Sequence, residues 1–300
     1  MVKFNIKRGD FFQVSINYHH KDRVFKFIFG NPENKQWTLS LYNAINGSNY
    51  DNPDDIQFNT IEDAVYLGMK NDVSFILAVL NELLIWGHQS SFNPNVPLRI
   101  FIYAAKLYEA YIIEHGYQHK QYGTKLLPLP RPKCICFYNG RSDRPEREEL
   151  RLSEAFGGDG DIEVKVTMIN INYGKNKALM EACEPLKEYA WLVDVIRRHE
   201  KISHDIEVAV DAAIDEMPDD FLIRKFLLKN KAEVKGMFLT EYDQEKVGEY
   251  LRLEAEELAR EQVATDMLKD GKPLDEIIKY SRLAKDAVVK IANSLGVTAI

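Results

Sequence analysis

Two short apolar runs that meet across Asn81-Glu82 constrain this chain more than any other stretch of it. Residues 72–78, DVSFILA, carry β-branched and aromatic side chains, which suit a pleated, half-buried strand. Residues 83–89, LLIWGHQ, have the same character, and Asn81-Glu82 between them reads as a turn. The two runs therefore form an antiparallel pair. Side chains alternate along a strand, so Leu83, Ile85, Gly87 and Gln89 share one face, and Leu84, Trp86 and His88 share the other. Asp72 heads the first strand, and His88, Gln89, Ser90 and Ser91 end the second. Polar side chains at strand ends, beside a loop, are where sites gather.

The flanking sequence supplies helices and further strands. A short strand is expected over Phe11–Ile16. DRVFKFIF, 22–29, reads as a mostly buried helix that Gly30-Asn31-Pro32 ends. A second helix runs from Lys35 to Ile45, with Trp37, Leu41, Ala44 and Ile45 on one face and Gly47 at its C-terminal boundary. Ile56–Tyr66 suggests an interrupted strand. After Pro94 and Pro97, Leu98–His115 is a long amphipathic helix with Phe101, Ala105, Leu107, Ala110 and Ile112 among its apolar positions. Lys133–Tyr138 is an apolar strand bounded by Asn139-Gly140, Arg141–Arg151 a charged loop, and Ile162–Ile171 another strand. Strands interleaved with helices give a mixed α/β core.

From Lys175 onward the pattern is helical, with helices over Pro185–His199, Ile206–Met217, Asp219–Leu228 and the Glu-rich Tyr242–Lys269. Leu274–Tyr280 and Lys285–Leu295 are two short helices across a tight turn at Ser281-Arg282, a helix-turn-helix in outline. Thirty residues are too few for an independent core, so a helical hairpin or homodimer element is the expectation there, with a DNA reader the alternative. The domain reading is 1–235 for the core, 236–270 for a charged connector helix and 271–300 for the hairpin.

Composition narrows the class. Apolar residues make up 45% of the 300, enough for a real core. No apolar run approaches a membrane span, and MVKFNIKRGDFFQ has no secretory h-region. Three cysteines without metal-like spacing imply free thiols and a cytoplasmic location. Cys134 and Cys136, alternating with Ile135, read as core thiols on one face. The net charge of -7 resides in residues 161–300, where 28 acidic residues face 21 basic ones. From His115 to Ser142 there is no acid, only Lys120, Lys125, Arg131, Lys133 and Arg141 among Tyr117, Tyr122, Phe137 and Tyr138. That stretch is either a backbone-binding path for DNA or a proline-stiffened basic loop.

A metal-dependent nuclease needs oxygen ligands that converge on Mg²⁺, which activates water and neutralises charge on the phosphate. An antiparallel strand pair supplies them economically: an Asp on the first strand, and on the second a carboxylate followed two positions later by a Lys or Gln on the same face. The chain resembles the PD-(D/E)XK nuclease family transposases, the recombination-promoting nuclease group. The segments that carry the resemblance are DRVFKFIFG at 22–30, TLSLYNAING at 38–47, KNDVSFIL at 70–77 and HQSSFNPNVPLR at 88–99. LPRPKCICFYNG at 129–140, LRLSEAF at 150–156, INYG at 171–174, FLLKNKAEVKGMFLTEYD at 226–243 and LDEIIKYSRL at 274–283 extend it over nearly the whole chain.

The resemblance implies a restriction-endonuclease-like mixed sheet flanked by helices, with a helical C-terminal region, and Mg²⁺-dependent cleavage of DNA. It makes Asp72 the metal-binding aspartate and Gln89 the family's glutamine in place of lysine. The family's glutamate falls at position 87, where this chain has glycine. Glycine offers no ligand, so impaired hydrolysis is expected, with Asp72 and Asp22 the remaining metal carboxylates. The alternative is an inactive DNA-binding or assembly protein on the same fold. Lys26 is an ion-pair partner for Asp22 or a phosphate contact. Arg99, Lys120, Lys125, Arg131 and Lys133 are the other candidate DNA contacts. His88, on the opposite face from Gln89, reads as a hydrogen-bonded structural histidine rather than a general base.

Overall fold

The computed structural model describes residues 23–59, 73–295 and 297, with backbone only over 240–251 and at 254. The strand expected at Phe11–Ile16 and most of the one expected at Ile56–Tyr66 lie outside the described residues. Among the described residues six strands form one mixed sheet: β1 (Ile56–Phe58), β2 (Val73–Leu77), β3 (Glu82–Gln89), β4 (Arg131–Tyr138), β5 (Arg147–Arg151) and β6 (Lys165–Asn170), in the order β1-β2-β3-β4-β6-β5. Strands β1, β2 and β3 are an antiparallel meander. Strands β3, β4 and β6 are parallel, and β5 runs antiparallel to β6.

The alternation in β3 sorts the two sides of the sheet. Leu84 and Trp86 enter a large core with α1 (Arg23–Phe29), α2 (Lys35–Asn46), α5 (Lys177–Ala182), α6 (Glu184–Ser203) and α7 (Ile206–Glu216). Leu83 and Ile85 enter a smaller core with α3 (Val96–Glu114) and with Cys136, Val166 and Met168 of β4 and β6. Helix α1 buries Val24, Phe25, Ile28 and Phe29, as its dense apolar sequence requires. Gly47 ends α2 in the left-handed conformation, φ 63°, which a residue without Cβ adopts at no steric cost. Only part of the expected α2 face holds: Leu41 is buried, while Trp37, Ala44 and Ile45 pack at the margin of the core.

Several expectations need correction. The segment 141–151 is not all loop, because its end is the edge strand β5. The charged run REELR hides strand character, because Leu150 is its one buried residue. Helix α3 buries Val96, Ile100, Tyr103 and Leu107, whereas Ala105 and Ala110 are exposed. The i, i+4, i+7, i+11 spacing of the true row is helical, but it was masked by apolar residues on the other faces. The turn between β2 and β3 comes one position earlier than expected. Residues Ala78–Leu80 form a 3₁₀ turn, Asn81 takes a left-handed conformation at φ 51°, and Glu82 already belongs to β3. The helix expected over Asp219–Leu228 is only α8, Arg224–Lys229. Short helices at α4 (Ser153–Phe156) and α5 went unmarked in the sequence.

The chain divides into two compact units, 1–241 and 242–300. The long helix α9 (Lys231–Lys269) runs through that boundary. In the second unit, Ala264 and Leu268 of α9 share a core with Ile277 of α10 (Leu274–Ser281) and with Val288 and Ala292 of α11 (Lys285–Leu295). The terminal hairpin therefore has a third helix, which the sequence had assigned to a separate connector.

The two cysteines of β4 do share a face, packed in or against the smaller core. Cys183 and Cys136 are fully buried, and burial pushes the Cys134 and Cys183 thiols up to about 11. Since the thiolate is the reactive form, the native protein is expected to resist an aromatic disulfide reagent at neutral pH. All three thiols should react once guanidinium unfolds it; fast stoichiometric labelling of the native state would contradict this packing.

Candidate nucleic-acid site

Strand β3 is buried along its whole length, from Glu82 to Gln89. Its register fixes the surroundings of position 87. Val73, the first described residue of β2, pairs with Trp86, and on the other side Gly87 pairs with Cys136 and Gln89 with Tyr138 of β4. Gly87 and Gln89 thus point to the α3 side, the face that holds Leu83 and Ile85. Gln89 is 6% exposed, and its Oε1 accepts a hydrogen bond from the Asn93 backbone N–H at 3.3 Å. That bond ties the strand end to the turn leading into α3. Asp72 and Asp22 lie outside the described residues.

His88 faces the other core. Its ring stacks on Phe25 with centroids 4.8 Å apart and 15° between planes, and Nε2 lies 3.2 Å from the Tyr189 hydroxyl. The Asn139 amide also donates to that hydroxyl, at 3.2 Å. This is the structural histidine the alternation implied.

The candidate basic residues do not gather at one place. Arg99 sits in the first turn of α3, next to the Gln89 end of the sheet. Lys120 is on a 3₁₀ turn beyond the far end of α3, and Lys125 is on the exposed loop that follows. Arg131 and Lys133 open β4. Five residues separate Arg131 from Cys136, the partner of Gly87, which is about 17 Å at strand rise. Lys26 lies on α1, half-buried, beside a cavity of about 450 Å³ also lined by Arg23, Phe27, Asn31 and Met237.

Two of these residues are already engaged. Lys120 stands over the Tyr117 ring, 4.9 Å from its centroid. Arg131 reaches Glu82 Oε1 at 2.5 Å, while Tyr42 donates to Glu82 Oε2 at 2.9 Å. Glu82 is buried, so this triad is how the sheet accommodates a carboxylate at the start of β3. Burial, with the Glu82 carboxylate beside it, pushes the Tyr42 phenol well above its ordinary range. Glu82 pairs with Leu77, at the other end of β3 from Gly87.

Sequence reasoning missed a polar network at the C-terminal ends of β4 and β6. Asn170 donates to the Arg144 carbonyl at 2.9 Å, and Asn176 donates to the carbonyls of Glu146 and Asn170. Asn172 donates to the Gly140 carbonyl and accepts from Arg197 Nη1 at 2.8 Å; Arg197 Nη2 also donates to the Asn139 carbonyl. The cations nearby are paired as well: Arg144 with Glu148, Arg141 with Glu200, Lys175 with Asp143. The only sequence signal was the run of asparagines at 139, 170, 172 and 176 next to strand ends. The network holds the two loops against each other.

Of the side chains expected to hold Mg²⁺, Asp72 and Asp22 lie outside the described residues. Among the described residues no group of three or more His, Cys, Asp or Glu side chains could hold a metal ion. Gly87 offers no side-chain ligand, and Gln89 Oε1 accepts the Asn93 N–H. Also among the described residues, no helix is long and apolar enough to cross a membrane. No protein-family model, no curated protein and no solved structure matches the chain.

Proposed function

We propose that this chain is a DNA-acting protein on a PD-(D/E)XK nuclease-like core, of the transposase-associated kind, with hydrolysis impaired at Gly87. The observation that carries the reading is local. Gly87 and Gln89 lie two positions apart on one buried face of β3, which pairs antiparallel with the strand that follows Asp72 in sequence. A nuclease hairpin needs that arrangement, and here one of its three side chains is absent. The restriction-endonuclease-like assignment is supported by the meander β1-β2-β3 followed, after α3, by the parallel strand β4.

Nicking of supercoiled DNA in Mg²⁺ or Mn²⁺ tests this with three proteins. The native chain is expected near background, Gly87→Glu above it, and Gly87→Glu with Asp72→Ala back at background. Robust Asp72-dependent cleavage by the native chain would overturn impairment. Silence from a folded Gly87→Glu protein would overturn the assigned register. A second readout does not need turnover: a carboxylate set beside Cys136, which is 0% exposed, is costly until it is paired. Gly87→Glu should therefore melt at a lower temperature in EDTA and regain part of the loss with divalent metal.

A further inference from the structure

The C-terminal unit forms a helix-turn-helix on a third helix. Thirty residues alone are too few for a core, and α9 supplies the rest of one. Ala264 and Leu268 of α9 pack with Ile277, Val288 and Ala292, and Met267, Leu274, Ile278, Leu283, Ile291 and Val297 close around them. Three residues, Arg282 to Ala284, join α10 to α11. Arg282 turns the chain in the left-handed conformation at φ 58°, and the buried Ser281 Oγ accepts the Leu283 N–H. A helix pair joined by three or four residues is the length of a DNA-reading helix-turn-helix.

The face of α11 opposite the core has the right chemistry. Val288 and Ala292 point inward, so the outward row at helical spacing is Asp286, Lys290 and Asn293, all exposed. These are three side-chain types that read base edges in the major groove: a carboxylate for cytosine, an ammonium for guanine and a carboxamide for adenine. Charge is arranged to match. From Ile277 to Val297 there are four basic residues, Lys279, Arg282, Lys285 and Lys290, and one acid, Asp286. The unit's other acids lie on α9, at its end and in the first turn of α10, away from α11 in sequence.

We propose that α11 is a recognition helix that enters the major groove of duplex DNA and reads a short sequence through Lys290 and Asn293. Arg282 and Lys285, at the turn, contact the phosphates. This does not rest on position 87 or on cleavage.

Selection of duplexes from a random library by the full chain, in EDTA, tests it. One sequence should be enriched. Lys290→Ala should weaken binding to that duplex about tenfold and binding to random duplex far less, and Asn293→Ala should relax the preference at one base pair. Arg282→Ala with Lys285→Ala should weaken both duplexes alike and reduce the salt slope by about two. All four positions are exposed, and unchanged helix content by circular dichroism would show that the variants fold. Absence of any enriched sequence would overturn the proposal. So would an enriched sequence whose binding ignores Lys290 and Asn293, or depends only on Lys120 and Lys125.

Discussion

Trp86→Ala is expected to lower the unfolding free energy by about 3–5 kcal/mol, the usual range for a large aromatic removed from a core. Trp86 is fully buried at the centre of the sheet. Its ring stands edge-on to Phe75 at 4.9 Å and to Phe137 at 5.6 Å, interplanar angles 89° and 87°. It therefore joins β2, β3 and β4 beneath the pair Val73↔Trp86. The cavity left by alanine would be bounded by strand backbones, which collapse less readily than helix surfaces slide. Trp86→Phe should cost much less. The indole Nε1 has no hydrogen-bond partner among the described residues, so that substitution loses packing alone. Urea unfolding of both variants checks this; equal costs for Ala and Phe would mean that the ring's contacts are not what stabilises the site.

Glu188→Ala is expected to cost about 2–4 kcal/mol, for a different reason. Glu188 is buried on α6, and its two carboxylate oxygens accept the backbone N–H groups of Leu222 and Ile223, each at 2.9 Å. Alanine would leave both donors without partners in the segment that leads into α8. Glu188→Gln keeps one acceptor and should cost less. The pH dependence has a definite sign. Burial raises the Glu188 carboxyl above its ordinary value, and it outweighs the two backbone donors, which lower it. A group with a raised folded pKa stabilises below its unfolded value and loses that contribution as pH rises through the folded one. The native chain should therefore gain on Glu188→Gln as pH falls through the region just above the ordinary carboxylate value. Parallel denaturant titrations at acid and neutral pH measure the difference. A gap that widens in favour of the native chain toward neutral pH would contradict the assignment.

The parts of this molecule that follow from local periodicity were readable in its sequence. Alternation placed Leu83 and Ile85 on one side of β3 and Leu84 and Trp86 on the other. It also set Cys134 and Cys136 on a common face, and Gly47 marked the end of α2. What escaped depends on partners distant along the chain. Glu82 looked like a turn residue because Tyr42 and Arg131, which make its burial tolerable, lie 40 and 49 residues away. The asparagine network is built from side chains bonded to backbone across separate loops, and no spacing announces it. The inward row of α3 was hidden among apolar residues that stay at the surface, and β5 was hidden by charge. In the C-terminal unit the hairpin itself was legible. The core it shares with α9 was not, because the charge density of that helix concealed Ala264 and Leu268.

The charged strand β5 has one more consequence. It forms an edge of the sheet, and an uncovered edge offers backbone donors and acceptors to any extended segment that comes near. Here Arg147, Glu149 and Arg151 are exposed along it, and Glu149 pairs with Arg151 at 2.5 Å. A strand arriving from another molecule would have to strip water from those charges before it gained a single ladder bond. The feature that hid β5 in the sequence therefore also protects the folded protein from edge-to-edge aggregation on that side.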